Sequence, residues 1–158
     1  MWQFGEIEMR GFFGIGHYQP AHDTNVGTTH RTAMIYGANF LFTIGRKYAT
    51  QGSDTTKAHH SLPYFWYESF DKLVENKPRG AKIVAVELSP KAILLDKFWH
   101  PPQAVYLLGN ESYGIHETVL EKCDYVVQIP TFKDICMNVA TAGAILMYSR
   151  FSQMRKEH

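Results

Sequence analysis

Five short stretches of this chain are apolar almost without a break: FFGIGHY (12–18), NFLFTIG (39–45), KIVAVEL (82–88), QAVYLLG (103–109) and YVVQIP (125–130). A strand with one wet face alternates apolar and polar residues, so unbroken runs imply strands buried on both sides. Segments of helical character separate them. NVGTTHRTAMIYGA (25–38) places Val26, Thr29, Ala33 and Tyr36 near helical spacing, with Gly37 as its stop. FDKLVEN (70–76) and HETVLEKC (116–123) read as short helices, and PKAILLDKF (90–98) as a helical turn opened by proline. A long helix runs from about Ile135 toward the C-terminus. The alternation predicts an α/β fold, a mostly parallel sheet with helices on both faces. Such sheets bind ligands at the carboxyl ends of their strands, which selects the loops after FFGIGHY, AVYLLG and VVQIP.

Composition narrows the function classes. A chain of 158 residues without internal repeats or a linker suits one domain, 1–158. Its 45% hydrophobic and 20% charged residues exclude a disordered chain. A net charge of +1 supplies no global basic field, so any nucleic-acid contact rests on a local patch. Cys123 and Cys136 form no CxxC pair and read as reduced thiols of a cytoplasmic protein. No basic-then-apolar leader opens the chain, which argues against secretion. The apolar stretch VATAGAILMY (139–148) is about half the length of a membrane helix, so no membrane partner is expected.

Several features are weighed and set aside. The eight histidines form no HExxH or CxxC-linked pattern, so no metal is expected, although His59-His60 in the polar loop 46–61 face solvent or substrate. The glycines of GFFGIG (11–16) lie inside a strand instead of opening a helix, which excludes a dinucleotide fingerprint. The aromatics of SLPYFWYESF (61–70) suit either stacking on RNA bases or burial in a core or dimer interface, and burial is the commoner use.

Three segments taken together say more. NVGTTHRTA (25–33), LLGNESYGI (107–115) and IPTFKDICMNVATAGAILMY (129–148) occur in that order, each beyond an expected strand. They resemble the three motifs of the SpoU/TrmH-type RNA 2'-O-ribose methyltransferases of the SPOUT superfamily: N-x-G-x-x-x-R-[TS], G-x-E-x-x-G, and I-P followed by S-L-N-V. The resemblance implies a C-terminal deep trefoil knot, S-adenosylmethionine as cofactor, a homodimer, and methyl transfer to a ribose 2'-hydroxyl of RNA. The absence of an extension before the domain tilts the substrate toward tRNA over rRNA. A rival reading is an RNA-binding protein on the same scaffold with weak or no turnover.

By the same resemblance Arg31, Asn25, Glu111 and Asn138 form the catalytic set. Arg31 is placed to hold a phosphate and steady a developing alkoxide, because a guanidinium stays protonated. Asn25 and Asn138 orient a hydroxyl or brace a loop, and Asn25 also suits a helix cap. Glu111 accepts hydrogen bonds from Arg31 or from main-chain amides. The cofactor set is Val86, Glu87 and Leu88 at one strand end, Gly109, Asn110 and Gly114 in the glycine loop, and Ile129, Cys136 and Met137 in the third segment. Gly109 is expected to let its backbone approach the ligand. Cys136 stands where the family has serine and Met137 where it has leucine, and a thiol is the weaker donor.

Overall fold

The computed structural model describes residues 7–49 and 62–156. His59-His60 and most of the polar loop lie outside that range. Seven strands form one sheet: β1 (Phe12–Tyr18), β2 (Phe40–Ile44), β3 (Tyr64–Tyr67), β4 (Lys82–Val86), β5 (Ile93–Leu94), β6 (Gln103–Leu108) and β7 (Tyr125–Gln128). Their order is β3-β2-β1-β6-β4-β7-β5, and every pairing is parallel. The α-helices among the described residues are α1 (Asp23–Ile35), α2 (Phe70–Asn76), α3 (Glu117–Leu120) and α4 (Val139–Met154).

Both faces are covered, as the apolar runs require. On one, Phe13, Ile15, Leu41 and Tyr106 pack with Ala33 of α1 and with Leu146 and Met147 of α4. On the other, Phe42, Ile83 and Leu107 pack with Phe70 and Leu73 of α2 and Leu120 of α3. The run of small residues at 140–144 serves this packing inside the chain. A Cβ on Gly143 would lie 3.0 Å from Leu108 Cδ1, so α4 sits directly on β6. The glycines of GFFGIG also have a local reason: a Cβ at Gly14 or Gly16 would overlap the rings of Phe40 or Phe42 on β2.

Three expectations shift. The aromatic stretch forms β3, an edge strand, and Phe65 and Trp66 are exposed. Residues 90–98 form the two-residue β5 and a single 3-10 turn, Leu95–Lys97, in place of a helical turn begun at the proline. The last helix starts at Val139, because Asn138 caps it by accepting from the amides of Ala140 and Thr141 at 2.9 and 3.1 Å. The eight residues from Thr131 to Asn138 therefore cross the carboxyl end of the sheet as an irregular loop.

Candidate functional site

β1 is the strand from which the chain builds outward in both directions, with β2 on one side and β6 on the other. Loops after strands at such a reversal splay apart and leave a crevice. A cavity of about 580 Å³ opens there, walled by the loops after β4, β6 and β7 and by the start of α1 and α4. A volume of this size suits a nucleoside-sized ligand.

Three of the loops supply the expected cofactor residues. Val86, Glu87 and Leu88 line the cavity at the end of β4, and Gly109, Asn110 and Gly114 line it after β6. Ile129, Cys136 and Met137 line it after β7. His22, Gln128 and Thr131 also face it, although no motif marks them. Gln128 and Thr131 flank Ile129-Pro130, so their place at a strand end was the available signal.

The glycine loop is held by its own backbone. Asn110 and Gly114 exchange two main-chain hydrogen bonds of 3.0 and 2.9 Å, and the Asn110 side chain accepts from the amides of Ser112 and Tyr113. Gly114 has φ +67°, and a Cβ on it would sit 2.1 Å from Glu87 Oε2. That oxygen accepts from the Ile115 amide at 2.9 Å, so Glu87 ties the end of β4 to this loop. Gly109 has a second reason beside the expected one. It is a wall residue of the cavity, but an added Cβ would meet the Gly114 backbone at 2.9 Å, so close packing inside the loop already demands glycine.

Three of the four expected catalytic residues also line the cavity, and they are bonded to one another. Glu111 accepts from the Ala21 amide at 2.8 Å and from Asn25 Nδ2 at 3.1 Å. Asn25 Oδ1 accepts from Asn138 Nδ2 at 3.0 Å, and Asn138 Oδ1 caps α4. One chain of hydrogen bonds thus joins the loops after β1 and β6 to the first turns of α1 and α4. Burial pushes the Glu111 carboxyl up, but hydrogen bonds from Ala21, Asn25 and its own amide, with the nearby His17, together outweigh it and hold the group below its ordinary value. Glu111 is therefore an ionised acceptor with its donors in place.

Arg31 is the exception. It lies on the exposed side of α1 and does not border the cavity, and its charge does not reach Glu111 through any hydrogen bond among the described residues. Six residues of helix separate it from Asn25, about 120° from that residue's face. Arg46 meets the loop that Glu111 holds: it donates to the Ala21 carbonyl at 2.5 Å and pairs with Asp23 at 3.1 Å.

An all-parallel sheet with a ligand-sized cavity at the carboxyl ends of its strands is the arrangement of α/β proteins that bind small molecules at a switch point. Residues 13–148 match the SpoU rRNA Methylase family, and the chain belongs to it. It is 29% identical over 142 residues to the 23S rRNA (guanosine-2'-O-)-methyltransferase RlmB of Neisseria meningitidis, a match covering 84% of this chain and 55% of that protein. The chain thus spans about half the length of that relative. The A. aeolicus TrmH/SpoU tRNA modifying enzyme shares the fold with a TM-score of 0.81 at 23% identity, over 93% of this chain and 77% of that one. The SpoU methyltransferase AviRb from Streptomyces viridochromogenes, solved in complex with AdoMet, superposes with a TM-score of 0.75 at 24% identity, over 91% and 58% of the two chains.

Proposed function

We propose that this chain is an S-adenosylmethionine-dependent domain that methylates a ribose 2'-hydroxyl of RNA. The observation that carries the reading is the convergence of three distant segments, near residues 86–88, 109–114 and 129–138, on one cavity. The residues present suit the cofactor. Ile129, Met137 and Val86 offer apolar contact to an adenine, and the Gly109–Gly114 loop presents main-chain groups without side chains in the way. When bound, the cofactor supplies a methyl group already activated on a sulfonium, so the protein's task is alignment and proton management. The knot implied by the resemblance belongs to the same proposal.

Asn25, Glu111 and Asn138 act here as a brace: each polar group is engaged by another, which ties the loops together in fixed positions along the cavity wall. Arg31, standing outside, meets RNA or a second subunit instead of the bound cofactor. A homodimer fits the apolar side chains left exposed on the helical face, Ile35 on α1 and Ile145 and Tyr148 on α4. Relatives named for tRNA and for rRNA both occur, and the tRNA (guanosine(18)-2'-O)-methyltransferases among them make tRNA the substrate we favour for this chain.

The test is incubation with methyl-labelled cofactor and total RNA, followed by alkaline hydrolysis. Label retained in an alkali-resistant dinucleotide supports 2'-O-transfer. Cofactor binding without transfer to any RNA favours a non-catalytic binder, and no cofactor binding removes the reading altogether. Arg31→Ala is expected to abolish transfer while leaving cofactor affinity unchanged.

A further inference from the structure

The free edge of the sheet carries a feature that the cavity does not explain. Trp66 on β3 is 40% exposed, although its ring is fixed on two sides. Its Nε1 donates to the Gly45 carbonyl at 2.9 Å, and Lys47 Nζ lies 4.6 Å over the ring. Two contacts thus hold this exposed ring in a set orientation. The lysine is exposed and has no carboxylate partner among the described residues, while its neighbour Arg46 is paired with Asp23. The corner thus offers an indole ring, part of it open to solvent, with a cation over one face that has no carboxylate partner among the described residues.

Its position ties it to the site. Gly45, Arg46 and Lys47 follow β2 at the carboxyl end of the sheet, the end that holds the cavity. Arg46 grips the Ala21 carbonyl, and the amide of the same residue donates to Glu111. The platform is therefore linked to the brace through a short, bonded path.

We infer that Lys47 and Trp66 form a nucleotide subsite for a single-stranded segment of the RNA substrate, with a base stacked on the indole and an adjoining phosphate on the ammonium. Every base has a π-face, so an aromatic platform beside a cation suits single-stranded nucleic acid without demanding a sequence. The local charge also answers the weak overall charge of +1, which cannot by itself hold a polyanion. This inference rests on the reading of the chain as an RNA-acting domain.

The experiment measures binding of total tRNA to the full chain and its variants by fluorescence anisotropy, with cofactor affinity and melting temperature recorded for each. Trp66→Ala is expected to weaken tRNA binding about tenfold, and Trp66→Phe to retain most of it, since a ring without Nε1 still stacks. Lys47→Gln should weaken binding severalfold and lower the slope of log affinity against log salt by about 1. Cofactor affinity should stay unchanged in all three. Equal tRNA affinity in Trp66→Ala and the parent overturns the subsite. Weakened binding with no methyl transfer by the parent to any RNA would keep the subsite and sink the proposed reaction. A parent that binds no RNA contradicts both.

Discussion

The two ends of the sheet fasten the same helix by opposite means. At the amino end, Arg150 of α4 is 1% exposed and gives its guanidinium to the carbonyls of Pro101, Pro102 and Phe12 at 2.7, 2.7 and 3.2 Å. It also donates to the Tyr106 hydroxyl at 3.1 Å, and that hydroxyl is 2.6 Å from His100 Nδ1. The acceptors are all neutral. At the carboxyl end, Asn138 caps α4 and reaches Asn25, which reaches Glu111, around an open space of about 580 Å³. A buried charge fastens one end, and a chain of amides and a carboxylate ties the loops of the other in fixed positions along the cavity wall. The contrast separates what stabilises the fold from what shapes the site.

Four changes would break or sharpen that contrast, in descending order of effect. Arg150→Met strands several buried acceptors and should cost about 4 kcal/mol in denaturant melts, with native cofactor affinity in whatever fraction stays folded. A variant as stable as the parent would contradict the fastening role.

Acid should probe both ends. Burial lowers His17 from 6.5 to about 4, and burial together with the Arg150 charge lowers His100 from 6.5 to about 4. Both histidines are neutral in the fold and take up protons more readily when unfolded. Their stabilisation is complete above pH 6.5 and is lost as pH falls from there toward 4. Each should cost roughly 2 kcal/mol by pH 5. The ends should then differ on substitution. The ring nitrogens of His17 have no hydrogen-bond partner among the described residues, so His17→Leu should remove one proton from the pH dependence at little cost at neutral pH. His100 bonds Tyr106 and Ser149, so His100→Leu should destabilise at every pH. Indistinguishable melting profiles for the two variants would remove the distinction.

Gly114→Ala forces a side chain into a positive-φ position and onto Glu87. It should cost about 1–2 kcal/mol and weaken cofactor binding at least tenfold, by calorimetry. Glu111→Gln exchanges an ionised acceptor for an amide that can still take one of the two hydrogen bonds. It should cost about 1 kcal/mol, with a larger loss in transfer rate than in cofactor affinity.

The comparison also shows what could be read before folding. The five inner strands were legible because burial on both faces leaves no polar alternation. β3 was not, since an edge strand of four aromatics looks like a core cluster until its neighbours are known. The apolar residues 135–137 hid the true start of α4 at Val139. The cavity's walls were legible as motifs, but the pairing within the brace was not. Glu111 and Asn25 are 86 residues apart and Asn25 and Asn138 are 113 apart, and a sequence shows donors and acceptors without their partners. Arg31 shows the same limit, because a motif gives a residue its company in sequence and not the side of the helix it faces. Gly109 was recognised as a place of close approach, but its neighbour proved to be Gly114 as well as the cavity.

The central claim is that the loops after β4, β6 and β7 form the binding site of a methyl donor. Isothermal titration of the chain with S-adenosylmethionine tests it most directly. One site per chain is predicted, with affinity lost in Gly114→Ala and unchanged in Arg31→Ala and Trp66→Ala. Absence of binding to the folded parent chain, or equal affinity in Gly114→Ala, would contradict it.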